Sequence, residues 1–308
     1  MKSKKISLYS ILLLISFLIT NSFAQQDKLQ KIDEFINKAM KDWEMPGFSV
    51  AIVKNDSVIF AKGYGVCNIN KSDPVDENTL FVIASCSKAF TTASLAILVD
   101  QGKIKWDDPV TKYLPDFQMY DPWVTKEITI RDLTSHKSGL ETFSGDFLWL
   151  NSTYDRKEVI NRARYLKPTS SFRSKYGYQN IMFITAAEII KAVTDTSWSN
   201  YIKTHILENL EMKHTDTSYE IFNNDDNTAK GHYKKENVMK VFADTQIDNA
   251  HGALGINSSA IEMAQWIRLQ LGKGKYNGKR IFSERQSSEM WSNQTPIGIM
   301  NYGLGWYI

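Results

Sequence analysis

Residues 79–102 read TLFVIASCSKAFTTASLAILVDQG, in which a strand-like run, Thr79–Ala84, passes directly into a long apolar helix. The helix is predicted from Ser85 to Gln101, because its apolar residues recur at helical spacing and Gly102 follows at the position where helices commonly stop. Ser85 is therefore expected at the start of a helix, where backbone N–H groups and the helix dipole favour developing negative charge.

A serine and a lysine lie three residues apart at the start of this helix. Side chains at i and i+3 share a helix face, so Lys88 is expected to place its amine beside the Ser85 hydroxyl. A serine hydroxyl is a weak nucleophile that needs an adjacent base, and a lysine becomes one when burial or a nearby positive charge lowers its pKa. The same letters fit an N-cap serine followed by a solvated lysine, so the pair by itself leaves both interpretations open.

A second polar group, Tyr178-Gln179-Asn180, precedes another helical pattern. A tyrosine phenol has an ordinary pKa of about 10, and a nearby ammonium is expected to lower it. Tyr178 would then relay the proton of Ser85 to a leaving group, while the Asn180 amide would hydrogen-bond a substrate carbonyl. A half-buried tyrosine and an asparagine at the end of a loop are the structural alternative.

The rest of the chain mixes strands with helices. A helix is predicted over Asp27–Trp43, followed by strands Phe48–Lys54 and Ser57–Tyr64 that Asn55-Asp56 joins as a hairpin turn. Further helices are predicted over Ile130–Ser135, Ile181–Val193, Trp198–Asn209 and Ala260–Leu271, and a strand over Tyr302–Ile308. This order predicts an α+β fold in which an antiparallel sheet is built from both termini and a helical lobe is inserted between them.

Several segments, in one order from about residue 45 to 308, resemble the serine β-lactamase and penicillin-binding protein superfamily in its class C β-lactamase-like branch. They are Leu80–Thr91, Gly102–Ile104 with Trp106–Val110 and Tyr113–Pro115, Ile128–Leu133 with His136–Leu140, Phe172-Arg173 leading to Tyr178–Asn180, and Leu254–Ser259 leading to Met263-Ala264. The resemblance implies a β-lactamase/transpeptidase-like fold. It also implies that Ser85 is acylated, that Lys88 and Tyr178 handle its proton, and that Asn180 contacts substrate.

The sequence departs from this family in one element. Relatives carry Lys-Thr-Gly or a His-containing variant on a strand after the tyrosine motif, where it lines the site and a neighbouring N–H completes the oxyanion hole. Lys137-Ser138-Gly139 lies before Tyr178, and His251-Gly252 precedes the segment that comes ahead of this element in relatives, so neither is assigned to it. We therefore expect residues 25–308 to be a hydrolase domain that lacks its last strands and helix.

Composition and charge narrow the class of protein. The chain has 308 residues and a formal net charge of +3, and 43% of its residues are hydrophobic, which is typical of a globular protein. Lys2, Lys4 and Lys5 precede a mostly apolar run from Ile6 to Ile19, and Ser22-Phe23-Ala24 fits a cleavage site. Residues 1–24 are thus predicted to be a signal peptide, and the mature chain to be exported, periplasmic or secreted, without a stable membrane span; an uncleaved anchor is the alternative.

The cysteines, histidines and basic residues give no sign of a metal site or of nucleic-acid binding. Cys67 and Cys86 either form one disulfide or remain as two buried free thiols. The five histidines are scattered without metal-ligand spacing, and the basic residues do not form the clusters typical of nucleic-acid binding, so neither a metal ion, a cofactor nor a nucleic acid is expected.

Two classes of function remain. The favoured one is a serine hydrolase that forms a Ser85 acyl-enzyme with a small-molecule or peptide substrate: a β-lactam, a D-alanyl peptide of the cell wall, or an ester. The alternative is a non-catalytic peptidoglycan-binding or sensing module, or an inactive fragment, on the same scaffold. Retention of Ser85, Lys88 and Tyr178 favours the enzyme, whereas the missing third element favours the alternative.

Overall fold

The computed structural model describes residues 27–243 and 245–308. The predicted signal peptide, residues 1–24, lies outside the described residues. The described helices are α1 (27–42), α2 (Ser87–Asp100), α3 (Pro122–Glu127), α4 (Ile130–Thr134), α5 (Arg156–Asn161), α6 (Asn180–Thr194), α7 (Trp198–Ile202), α8 (Tyr219–Asn224), α9 (Ala260–Leu271) and α10 (Glu284–Met290). The strands are β1 (Gly47–Lys54), β2 (Ser57–Gly65), β3 (Phe81–Val82), β4 (His232–Lys235), β5 (Val238–Val241), β6 (Asn257–Ser258), β7 (Lys275–Tyr276), β8 (Lys279–Arg280), β9 (Thr295–Ile297) and β10 (Met300–Tyr302).

The hairpin predicted near the N-terminus is confirmed. Strands β1 and β2 pair antiparallel, and the two turn residues, Asn55 and Asp56, have φ angles of 49° and 60°. A two-residue turn with both residues left-handed matches the twist of the flanking strands, and Asn and Asp tolerate that conformation better than other side chains with a Cβ. Helix α9 packs across both strands and covers one face of the hairpin.

Helix α2 forms the centre of the core. Twelve consecutive residues, from Ser87 to Leu98, are buried, and helices α6, α7 and α10 all contact α2. A helix that is buried on all sides needs no polar face, which accounts for the run of alanine, leucine and isoleucine in its sequence. Because even the first turn of α2 lies inside the protein, the whole Lys88 side chain is buried.

The α+β composition is confirmed, but the sheet differs from the prediction. Among the described residues, the strands pair as five separate two-stranded antiparallel sheets, so strands from the two ends do not join in one sheet. The strand predicted over Tyr302–Ile308 is wrong. Strand β10 ends at Tyr302, and the chain turns back through Gly305, whose φ is 80°, so that Asn301 and Ile308 exchange backbone hydrogen bonds.

Contacts with helices explain this C-terminal turn. The Gly305 N–H donates to the carbonyl of Thr134 at the end of α4, and the Leu304 N–H donates to the carbonyl of Met290 at the end of α10. These helix ends have carbonyls that lack partners within the helix, and the C-terminal segment satisfies them. The backbone groups that an extended strand would have offered to a sheet are therefore used on α4 and α10.

The predicted helices have the correct positions, with one interruption. The pattern over Trp198–Asn209 divides into α7, a π-helical turn at Lys203–Leu207 and a 3-10 turn at Glu208–Leu210. Thr204 lies at the junction, and its hydroxyl donates back to the carbonyl of Asn200, a local bond that competes with regular helix geometry.

Two further features of the described part of the chain concern the cysteines and the character of the helices. Both cysteines are free thiols, and Cys67 is buried as expected for a free thiol. The expected burial of Cys86 is wrong, because the 3-10 turn Ala84–Cys86 keeps Cys86 exposed beside Ser85. No described helix combines the length and the apolar character needed to cross a bilayer.

Candidate active site

Ser85 lies on a sharp turn between a strand and the central helix. Strand β3 pairs with β6, the Ile83 N–H donates to the Ile256 carbonyl, and the chain then enters a 3-10 turn, Ala84–Cys86, that leads into α2. Ala84 has a φ of 45°, a left-handed conformation that costs energy for a residue with a Cβ. Held by the β3–β6 pair on one side and by α2 on the other, this strained turn exposes the Ser85 side chain.

Lys88 is the buried partner of this exposed serine. The Lys88 residue is only 1% exposed, and its Nζ lies 3.1 Å from Ser85 Oγ. Nζ also donates to Asn180 Oδ1 at 2.7 Å and to the backbone carbonyl of Ala253 at 3.1 Å. Burial lowers the pKa of Lys88 to about 7, and the charge of Asp146 opposes this shift only in part. A substantial fraction of Lys88 is therefore an uncharged amine at neutral pH.

Tyr178 lies against the same lysine. Lys88 Nζ is 4.6 Å from the centre of the Tyr178 ring. The expectation that an ammonium lowers the pKa of Tyr178 is wrong, because burial raises that pKa to about 12 and a hydrogen bond with Ser85 reduces the increase only partly. The physical reason is that the buried phenolate would lose its hydration, while Lys88, with a pKa of about 7, carries no charge at the high pH where the phenol would ionise. Tyr178 therefore carries its proton at neutral pH.

Two of the family-like segments pair to hold Tyr178 in place. The Arg173 guanidinium donates to both carboxylate oxygens of Asp132, at 2.9 and 2.7 Å. The Gly177 N–H then donates to the carbonyl of His136, and the carbonyl of Tyr178 accepts from the Phe143 N–H at 2.7 Å. These bonds connect the loop before Tyr178 to α4 and the segment that follows it. The two segments, which are far apart in sequence, are therefore neighbours beside Ser85 and Lys88.

Asn180 opens helix α6 and is almost completely buried, with an exposed fraction of 5%. Its Oδ1 accepts from Lys88, and its Nδ2 lies 3.1 and 3.0 Å from the two carboxylate oxygens of Asp146. Both ends of the amide are thus engaged by protein groups. A contact between Asn180 and a substrate carbonyl remains a prediction from the sequence.

Sequence reasoning missed Asp146 and the role of His136 in the packing of the site. His136 is fully buried, its ring centre lies 4.5 Å from that of Tyr178, and burial together with the Lys88 charge lowers its pKa well below the usual value. His136 Nδ1 accepts from the Gln179 N–H, so the ring proton is on Nε2, 3.2 Å from the hydroxyl of Tyr302. The His136–Leu140 segment marked the histidine only as part of a family signature, and no local pattern marks Asp146.

A cavity of about 840 Å³ opens beside Ser85. Ser85, Cys86 and Tyr178 line it together with residues of α9, α10 and the C-terminal turn. The apolar side chains from those three elements are Met263, Trp266, Ile267, Leu271, Trp291, Trp306 and Tyr307. The volume lies within the range of pockets that hold small molecules, so the exposed hydroxyl faces a space that a substrate with apolar groups can occupy.

The two motifs left unassigned in the sequence have structural contacts. The Ser138 hydroxyl donates to Gln179 Oε1 at 2.7 Å, in the interior of the protein. The His251 ring lies 5.2 Å from that of Trp198, and its Nδ1 is 3.2 Å from the Ser199 hydroxyl. Across residues 27–243 and 245–308, no three His, Cys, Asp or Glu side chains are grouped so that they could hold a metal ion.

Comparisons with known proteins give a consistent result. The family model described as Beta-lactamase matches residues 32–308. The unguisins hydrolase of Aspergillus campestris is 32% identical over 200 residues, and Protein flp of Staphylococcus aureus is 28% identical over 292 residues. The octameric penicillin-binding protein homologue from Pyrococcus abyssi superposes with a TM-score of 0.79 at 23% identity over 91% of this chain, which shows a shared fold.

The matches also differ in extent. The alignments cover 62% of this chain for the fungal protein and 91% for the staphylococcal one, but only 37% and 56% of those proteins themselves. The chain likewise covers 64% of the archaeal structure. The chain thus spans about half the length of the curated relatives it matches.

Proposed function

Because this chain belongs to the Beta-lactamase family, with a β-lactamase/transpeptidase-like fold, we propose that it is a serine hydrolase whose Ser85 forms an acyl-enzyme. The single observation that carries the proposal is the buried Lys88 amine, 3.1 Å from the exposed Ser85 hydroxyl and with a pKa lowered to about 7. A lysine that only caps or solvates a helix would be exposed and charged. A buried, partly neutral amine beside a serine is instead suited to accept the hydroxyl proton.

The acylation step follows from the number of donors on Lys88. A neutral lysine has two N–H groups and one lone pair. The two N–H groups donate to Asn180 Oδ1 and the Ala253 carbonyl, which leaves the lone pair directed towards Ser85. Lys88 accepts the Ser85 proton while Oγ bonds to the substrate carbonyl carbon, and a tetrahedral intermediate forms.

Tyr178 completes the proton transfer. Its phenol donates a proton to the leaving amine or alcohol as the bond to the carbonyl carbon breaks, and the Lys88 ammonium returns a proton to the phenol. The raised pKa of Tyr178 supports this order, since a phenol at neutral pH is a proton donor before it is an acceptor. Water then attacks the acyl-enzyme, Lys88 accepts one of its protons, and the acid product leaves as Ser85 regains its hydrogen.

The substrate classes are β-lactams, D-alanyl peptides of the cell wall and simple esters, because all three undergo the same attack on a carbonyl. The name of the fungal relative, a hydrolase, agrees with the reaction type. The signal-like residues 1–24 support an exported, periplasmic or secreted location, where cell-wall peptides would be accessible.

Covalent labelling followed by turnover tests this proposal. The chain is incubated with a fluorescent penicillin and with a fluorophosphonate, the labelled residue is located by mass spectrometry, and release of hydrolysed penicillin or ester is then measured. We expect stoichiometric labelling at Ser85 and multiple turnovers. Labelling at Ser85 without turnover would favour a binding or sensing module, and absence of labelling would contradict the assignment of Ser85.

A further inference from the structure

Asp146 is held rigidly at the edge of the site. It opens a 3-10 turn, Asp146–Leu148, directly after Gly145, whose φ of 86° suits a residue without a Cβ. A Cβ on Gly145 would lie 2.8 Å from a methyl carbon of Leu166, so a side chain there would force Leu166 to shift. On the other side, the Trp149 indole N–H donates to Asp146 Oδ1 at 3.0 Å. The carboxylate therefore has a fixed place.

This fixed carboxylate determines which way the Asn180 amide faces. Asn180 Nδ2 lies 3.1 and 3.0 Å from the two oxygens of Asp146. The two ends of an asparagine amide have almost the same shape but opposite hydrogen-bonding roles. Burial raises the pKa of Asp146, whereas the hydrogen bonds from Trp149 and Asn180 and the charge of Lys88 favour its carboxylate form, which only accepts. The NH₂ end must therefore face Asp146, and the oxygen must face Lys88 Nζ, which lies 2.7 Å away.

The orientation of Asn180 decides where the Lys88 lone pair is directed. The Ala253 carbonyl is a backbone acceptor and always takes one N–H of Lys88, while Asn180 Oδ1 takes the second. A reversed amide would present N–H groups to Lys88, which would repel the ammonium or occupy the lone pair of the neutral amine. We propose that Asp146 is a positioning residue that, by orienting Asn180, keeps the Lys88 lone pair available to the Ser85 hydroxyl; this inference rests on the proposed function.

Asp146 also acts on Lys88 through its charge. Among the groups around Lys88, Asp146 and the Cys86 thiol favour the charged amine, whereas burial opposes it. His136 is kept neutral by its burial, and the high pKa of Tyr178 keeps that side chain a phenol. Removing the Asp146 charge should therefore lower the pKa of Lys88 further, while removing the orientation of Asn180 should slow proton transfer. One substitution thus has two separately measurable effects.

The test is acylation by a fluorophosphonate as a function of pH in Asp146→Asn, using the full chain. We expect the rate on the high-pH plateau to fall about 10²-fold, the size of effect typical of a misplaced reacting group. The acidic limb of the profile should move to lower pH. Trp149→Phe is the control for the Asp146 charge, because it removes one hydrogen bond that holds the carboxylate but keeps the charge and the bonds to Asn180. Its plateau should fall less than that of Asp146→Asn, and its acidic limb should stay closer to that of the wild type.

A second measurement separates this inference from the proposed function. The titration of Lys88 is followed by NMR of ¹³C-labelled lysine side chains, which needs no substrate. A wild-type chain that is not labelled at Ser85 would contradict the proposed function, and an unchanged Lys88 titration in Asp146→Asn would separately show that Asp146 does not act on Lys88. Where the wild type is labelled, a folded Asp146→Asn variant with an unchanged plateau would overturn the positioning role of Asp146. If Asp146→Asn does not fold, we expect the same results from Asp146→Ser. Asp146→Glu, which keeps the carboxylate, should retain most of the wild-type plateau rate.

Discussion

Ser85 and Lys88 are neighbours in space at 3.1 Å, yet the serine side chain is exposed and the lysine is only 1% exposed. The sharp turn at Ala84–Cys86 produces this contrast, because it ends at the surface and the helix that follows enters the core at once. A base that is buried beside an accessible nucleophile can stay uncharged without closing the site to substrate. Five predictions follow from this arrangement and from the residues that support it.

Ser85→Ala should abolish labelling by serine-directed probes and leave the thermal midpoint almost unchanged, because the exposed hydroxyl contributes little to packing. Ser87→Ala is the matched control. The Ser87 hydroxyl accepts from the Ile256 N–H in the core, so its loss should cost about 1 to 3 kcal/mol in the free energy of unfolding while labelling continues. Mass spectrometry and thermal denaturation measure the two effects. Undiminished labelling of a folded Ser85→Ala variant would contradict the assignment.

Lys88→Met and Tyr178→Phe should each slow acylation by about 10²- to 10⁴-fold, the range typical of general acid–base groups. The double variant should be little slower than the worse single variant, since residues that act as one unit share a transition-state interaction. Stopped-flow acylation rates of the wild type, the two single variants and the double variant give this double-mutant cycle. Two losses that simply multiply would mean that the side chains act independently.

The acylation rate of the wild type should rise with pH through about 7 and then remain level, because only neutral Lys88 accepts the Ser85 proton. The pKa of Tyr178, about 12, places loss of the phenol proton beyond the working range. Tyr178→Phe should therefore lower the plateau and leave the position of the acidic limb almost unchanged. A limb near the ordinary lysine pKa would show that Lys88 is not the base.

The stability of the wild type should increase with pH between about 7 and 10 relative to Lys88→Met. The folded pKa of Lys88 is lowered, so the unfolded chain binds more protons in this window, and the free energy of unfolding rises with pH. The slope of the difference approaches about 1.4 kcal/mol per pH unit where only the unfolded lysine is charged. Urea denaturation of both proteins across this window measures it. A pH-independent difference would show that Lys88 keeps its ordinary pKa in the folded chain.

Ala84→Gly should raise the free energy of unfolding by up to about 1 kcal/mol, because glycine adopts the left-handed conformation of this position without the strain that a Cβ adds. Ala84→Val, which adds a branched side chain at the same φ, should lower the stability instead. Chemical denaturation of the three proteins gives the order. Equal stabilities would mean that the turn relaxes at little cost.

Local sequence patterns determined the structural features that depend on residues close together in the chain. The Asn55-Asp56 turn set the first hairpin, the apolar spacing of α2 and α9 set those helices, and the i to i+3 spacing set Lys88 beside Ser85. In each case the interacting groups lie within one turn or one helix, so their geometry follows from backbone dihedral angles alone.

Only the tertiary structure decided the environment of these residues. Asn180 is 92 residues from Lys88 and Asp146 is 34 residues from Asn180, and no periodic pattern connects positions so far apart. The raised pKa of Tyr178 depends on how much water the folded chain excludes, which residue letters do not show. The C-terminal segment likewise had the composition of a strand, but the free carbonyls at the ends of α4 and α10 bound its N–H groups and turned it back. Burial and long-range hydrogen bonding arise only when distant segments pack, and here they set the protonation and the orientation of the site.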